Sequence, residues 1–176
     1  MNRVFLRDFD EIYLDEENLK SYRTYYIALC NWINSKRRLL GDELINRKRL
    51  NILLSLNVYD YATEEIKGNG MSLSREKERM SDLNNCSLDS ALSAVSNTLW
   101  DIVTTSSVKL CVRCTYGDLR YIKINYTDTD GKVVLECTDC GALMNLDGSV
   151  CSDKIENYIP ATKKEIVIAI DSDLSS

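Results

Sequence analysis

The chain has 176 residues, enough for one good core or for a core plus a small stapled module. Its 44% hydrophobic and 28% charged content excludes a disordered chain, and no apolar run approaches the roughly 18 to 20 residues that span a bilayer. A formal net charge of -5, with both halves mildly acidic, speaks against a nucleic-acid binder, which normally carries a basic domain or face, and suits a basic protein partner.

The first hundred residues read as helices. Val4-Phe5-Leu6 is interrupted by Arg7, Asp8 and Asp10 before a signal-peptide apolar stretch can form, so a cytoplasmic protein is expected. Asp15 is placed to cap a helix running to about Arg38, with Leu19, Tyr22, Tyr26, Leu29 and Ile33 on one face at three- and four-residue spacing. That stripe reads as a core face. The alternative, an aromatic stacking platform from Tyr22, Tyr25, Tyr26 and Trp32, lacks the net positive charge that such platforms sit beside. Gly41 punctuates the chain, and Asp42 is placed to cap a second helix through Leu44, Leu50, Leu53 and Leu54 towards Tyr61, antiparallel to the first.

Two basic triplets, Lys36-Arg37-Arg38 and Arg47-Lys48-Arg49, flank Gly41 and would grip phosphate if they converged. A helix C-terminus complementing its dipole and a solvated face account for them more simply. Lys67-Gly68-Asn69-Gly70 is a turn signal, followed by a polar stretch from Ser72 to Asn85. Ser87 is a good N-cap for a last helix whose apolar face is Leu88, Ala91, Leu92, Val95, Leu99, Ile102 and Val103.

After Thr104-Thr105-Ser106-Ser107 the pattern changes to short β runs, which divides the chain into a helical domain, 1–106, and a β domain, 107–176. Val108 to Val112 leads into Cys111-Val-Arg-Cys114. Tyr121 to Tyr126 and Lys132 to Glu136 flank Asp130-Gly131 as a β-hairpin that returns the chain to Cys137-Thr-Asp-Cys140-Gly141. Val150 to Ile159 and Glu165 to Ile170 are each expected to add an extended segment, with Pro160 at the turn between them and a frayed tail from Asp171 to Ser176.

Two CxxC hooks with 22 residues between them present four sulfurs as two tight turns, the pattern of a structural zinc site. The expected ligands are Cys111, Cys114, Cys137 and Cys140, and the expected cofactor is Zn2+. Iron takes the same sulfurs in a rubredoxin-like site, but Thr115 stands where rubredoxins have glycine. With four cysteines assigned, the odd remainder of Cys30, Cys86 and Cys151 suits a reducing compartment better than a disulfide scaffold.

Chemistry is conspicuously thin. The chain contains no histidine, which removes Ser-His-Asp and Cys-His nucleophile systems and leaves a four-sulfur site with no open position for substrate. No glycine-rich phosphate loop or kinase signature is present. The carboxylate pairs, such as Asp8 with Asp10 and Asp128 with Asp130, read as solvated or turn residues, so no catalytic residue is assigned and no enzyme is expected.

The order CxxC, Asp-Gly hairpin, CxxCG within residues 108–148 resembles the zinc-ribbon group, over about a quarter of the chain. With the helices read from the first hundred residues, the expected fold is α+β, an N-terminal helical bundle followed by a small antiparallel β zinc ribbon. In size, acidity and lack of a catalytic set the chain also resembles bacterial immunity proteins of contact-dependent inhibition systems. That resemblance implies a non-catalytic protein that binds and neutralises a cognate basic toxin domain, with the acidic Asp8 to Glu17 segment and the hairpin around Asp128 and Asp130 as contact elements. The alternative is a nucleic-acid-associated transcription or translation accessory factor, with the ribbon and the two basic triplets making phosphate contacts.

Overall fold

The computed structural model describes residues 12, 17–18, 20–63, 87–125, 131–155 and 157–174. It is α+β, with helices in the N-terminal part and a small antiparallel sheet in the C-terminal part. Two compact units are formed, one of residues 1–59, 63–66 and 70–102, the other of residues 60–62, 67–69 and 103–176. Among the described residues no helix is long and apolar enough to cross a membrane.

In the helical unit, α1 spans Tyr22–Leu40. Its start is set by Ser21, whose hydroxyl accepts from the Thr24 N–H at 3.1 Å while the Thr24 hydroxyl accepts from the Ser21 N–H at 3.1 Å, a reciprocal capping box. The helix therefore begins at Tyr22, and Asp15, the expected cap, lies outside the described residues. Gly41, at φ 72°, ends α1 by donating its N–H to the Arg37 carbonyl. Tyr25, Tyr26, Leu29, Trp32 and Ile33 are buried, so the aromatic stripe is core.

The expected second helix is broken. It forms α2 (Asp42–Arg47), α3 (Leu50–Ser55) and a 3-10 turn at Val58–Asp60, with Arg49 left-handed at φ 59° between α2 and α3. Asp42 is the first residue of α2, and Gly41 is its cap. The break has a tertiary cause: the Ser96 hydroxyl donates at 2.8 Å to the Lys48 carbonyl, which a continuous helix would have used for residue 52. The Tyr26 hydroxyl donates to the Leu53 carbonyl, so the chain doubles back about Gly41. Helix α4 (Leu88–Val103) starts where Ser87 accepts the Ser90 N–H at 3.1 Å, and Ala91, Leu92, Val95, Leu99 and Ile102 are buried along it. The Lys67–Gly70 turn and the Ser72–Asn85 stretch lie outside the described residues.

In the second unit, strands β1 (Ser106–Leu110), β2 (Asp118–Ile124), β3 (Lys132–Cys137) and β4 (Leu143–Met144) pair in sequence, all antiparallel. β5 (Tyr158–Pro160) joins β2 opposite Ile122 to Ile124, beyond the stretch that β1 covers. The β2–β3 pairing runs from Leu119↔Cys137 to Ile124↔Lys132; the turn carrying Asp128 and Asp130 lies outside the described residues. Alternation gives the two strands two faces. Leu119, Leu135 and Cys137 share one with Cys111 and Met144, while Ile122 and Val134 share the other with the cross-strand pair Arg120–Glu136 at 2.8 Å.

The C-terminal stretch departs from expectation. Only Tyr158–Pro160 of the segment from Val150 is a strand, Val150 itself making an isolated bridge to Met144, and Pro160 lies within β5. Glu165 to Ile170, expected as extended, belongs to helix α5 (Lys163–Leu174), which also takes up most of the supposed tail and lies against β3. The reason is a Thr-x-x-Glu capping box: Thr162 Oγ1 accepts from the Glu165 N–H at 3.3 Å, and Glu165 Oε2 accepts from the Thr162 N–H at 2.9 Å. Glu165 also pairs with Lys123 at 2.8 Å. Burial works against the Glu165 carboxylate, but the Lys123 ammonium and the Thr162 donors outweigh it and hold its pKa below the usual value.

Candidate metal centre

The first hook follows β1 and the second follows β3, and the β2–β3 ladder returns the second beside the first. Each hook is a hydrogen-bonded turn. Thr115 N–H donates to the Cys111 carbonyl at 2.8 Å, and Gly141 N–H donates to the Cys137 carbonyl at 3.1 Å. The residue after the second cysteine is left-handed in both, φ 66° at Thr115 and φ 67° at Gly141. Glycine adopts this freely, whereas the branched Thr115 does so under strain. The hooks thus share one backbone geometry despite different sequences.

The sulfurs of Cys111, Cys114, Cys137 and Cys140 all lie within 4.8 Å of one another. Cys111 Sγ is 3.7 Å from Cys140 Sγ, and Cys114 Sγ is 3.6 Å from Cys137 Sγ. Four sulfurs about 2.3 Å from a tetrahedral ion stand about 3.8 Å apart, whereas a disulfide would bring them to about 2.05 Å. The set therefore fits a four-coordinate metal ion, as in a zinc ribbon, and every predicted ligand is in place. Cys111 and Cys137 are buried, Cys114 is half-buried and Cys140 is exposed.

Backbone donors face the sulfurs. Arg113 N–H points at Cys111 Sγ at 3.4 Å, and Cys140 N–H at Cys137 Sγ at 3.5 Å. Hydrogen bonding from the backbone of Cys114 and Arg113 draws the Cys111 thiol down to about 7, while burial pushes Cys137 up to about 12. A metal bound there would have to displace a proton from Cys137.

Gly117 was not singled out by the sequence. A Cβ there would stand 2.4 Å from Cys137 Sγ and 2.9 Å from Cys114 Sγ, so only glycine lets the chain pass the cluster this closely. Its carbonyl accepts the Cys111 N–H at 2.9 Å. The available signal was its position, three residues after the second ligand.

The remaining cysteines are elsewhere. Cys30 is in α1, where burial pushes its thiol up to about 12 against a hydrogen bond from Tyr26. Cys151 Sγ lies 3.5 Å from Asp153 Oδ2, and Cys86 lies outside the described residues. The basic triplets carry internal ion pairs: Arg37 with Asp42 at 3.0 Å, and Arg47 and Lys48 both with Asp89, at 2.9 and 2.7 Å. Of the acidic Asp8 to Glu17 segment, only Ile12 and Glu17 are described, Glu17 being paired with Lys20.

A second feature of the ribbon unit escaped the sequence reading. Val108, Leu110, Val112 and Tyr116, on β1 and the first hook, are all exposed, Val108 completely. Among the described residues β1 pairs only with β2, so this apolar row lies on the edge strand of the described sheet.

Comparison with protein families, curated proteins and solved structures finds no match to this chain.

Proposed function

We propose that this is a non-catalytic, protein-binding protein whose ribbon unit is clasped by structural zinc and whose partner is a basic protein domain. The specific form of this reading is a bacterial immunity protein, cytoplasmic, that neutralises a cognate toxin nuclease by covering its nucleic-acid groove. Zinc is favoured because four thiolates saturate a tetrahedral ion and leave it without an open position, a structural arrangement. The observation that carries the binding role is the exposed row Val108, Leu110, Val112 and Tyr116. Apolar and aromatic side chains of this kind form the centre of protein interfaces, and an acidic chain of net charge -5 steers a basic partner onto them.

The nucleic-acid reading takes its phosphate contacts from the ribbon and the basic triplets, and Asp42 and Asp89 are already paired with three of the triplets' side chains. The test pairs two measurements. A pull-down from the native host should recover a basic protein with the wild-type chain, and lose it with Val108→Asp/Leu110→Asp at unchanged metal content. Mobility shifts of DNA or RNA at low salt, or recovery of nucleic acid and ribosomes alone, would overturn the reading. Elemental analysis of the purified chain checks the metal, with one zinc per chain expected.

A further inference from the structure

We propose that the clasp is also a site of oxidative modification, at which a hydroperoxide joins Cys140 to Cys111 across the hooks and expels the metal. The inference rests on the four-sulfur metal reading and is independent of the partner. Its basis is the asymmetry of the cluster: Cys140 is exposed to an incoming oxidant, while Cys111, 3.7 Å away, is buried beside it. The other sulfur pair in hydrogen-bonding contact, Cys114 with Cys137 at 3.6 Å, also runs between hooks and also joins a more open sulfur to a buried one. Within the hooks, backbone N–H groups hold Cys111 and Cys137 in their own turns.

The Cys140 thiolate attacks the terminal oxygen of the hydroperoxide, and the O–O bond breaks. Cys140 becomes a sulfenic acid, and the departing oxygen takes a proton to leave as an alcohol or water. Cys111 Sγ then attacks the sulfenyl sulfur; the S–O bond breaks and hydroxide leaves, protonated to water. Two thiolates lose two electrons in total, and the peroxide gains them. The two remaining thiolates no longer make a four-coordinate site, so the ion departs, and a second equivalent of peroxide closes Cys114 with Cys137. Because both bonds span the hooks, the ribbon stays closed after the metal has gone.

Trypsin, with fragmentation of the linked peptide between Cys137 and Cys140, makes the pairing readable. Cleavage after Lys109, Arg113, Arg120, Lys132 and Lys154 puts Cys111 and Cys114 on separate peptides and Cys137 with Cys140 on a third. A Cys151→Ser chain removes the one other cysteine from that third peptide without touching a ligand. The chain is loaded with zinc, treated with hydrogen peroxide, followed with a chromophoric zinc indicator and mapped without reduction. One zinc released with the first disulfide is expected, that link joining Cys111 in residues 110–113 to Cys140 in residues 133–154, reversed by dithiothreitol and fresh zinc. A link between the Cys111 and Cys114 peptides, or zinc retained under excess peroxide, would overturn the proposal. The map is also read on the metal-free chain, where the hooks are no longer held together and links within a hook are expected instead. A chain that takes up no zinc at the outset fails the metal reading, whereas a zinc-loaded chain that closes a pair within a hook fails the oxidation proposal.

Discussion

In the helical unit Tyr25, Leu29, Ile33, Ile45, Leu50, Leu92 and Leu99 are all fully buried, whereas in the ribbon unit two of the five residues in the buried cluster beside the hooks are cysteines of the four-sulfur group. The first unit draws its stability from close packing, and a metal held by the four sulfurs would add coordination to the thin sheet of the second. The exposed surface follows the same division. Among the described residues, nine of the twelve exposed large hydrophobic side chains belong to the ribbon unit, leaving it the more adhesive of the two.

The largest effect is expected where coordination is removed. Cys137→Ala, or chelation of the wild type, forfeits metal-binding free energy on the order of 10 kcal/mol and should unfold the ribbon while α1 and α4 persist. Circular dichroism with residue-level NMR checks this, and an intact ribbon without metal would erase the contrast between the units. In the helical unit Leu99→Ala should cost about 2 to 5 kcal/mol through lost burial and a residual cavity, lowering Tm at unchanged metal affinity. Gly117→Ala comes next. Its Cβ would press on Cys137 Sγ and Cys114 Sγ, and a roughly 10- to 100-fold loss of zinc affinity is expected in a competition titration, with Leu99→Ala as the unaffected control.

Smaller effects sharpen the comparison. Glu165 has its pKa lowered by Lys123 and Thr162, so its contribution is fully present above the ordinary carboxylate value and is lost as pH falls through the lower folded value. Acid titration of α5 by NMR should show fraying in that window. Glu165→Gln should abolish the pH dependence, at a cost of about 1 kcal/mol for a weakened cap. Thr115→Gly should move stability the other way, by about 1 kcal/mol, since it relieves a branched residue at φ 66°; a chemical-denaturation midpoint of the metal-loaded chain reads it.

The sequence announced the sulfur site because metal ligation imposes a fixed spacing that survives any change in surrounding residues. The same local logic made Ser87 legible as a cap. It failed at α5, where Ile166, Val167, Ile168 and Ile170 look like a strand and the Thr162–Glu165 box went unread. It failed again at Arg49, because the bond from Ser96 to the Lys48 carbonyl joins positions far apart in the chain and leaves no local trace. Gly117 and the exposed β1 row were illegible for a related reason. A glycine's close approach and a side chain's exposure are properties of the assembled sheet, not of a short window.

β2 is bonded along both edges, to β3 on one and to β1 and then β5 on the other, and the β5 contact falls at the end away from the second hook. Its amides should accordingly be the slowest in the ribbon to exchange with solvent. The β5–α5 arm joins the sheet away from the second hook, and its amides are expected to exchange faster than those of β2 while the hooks stay shut.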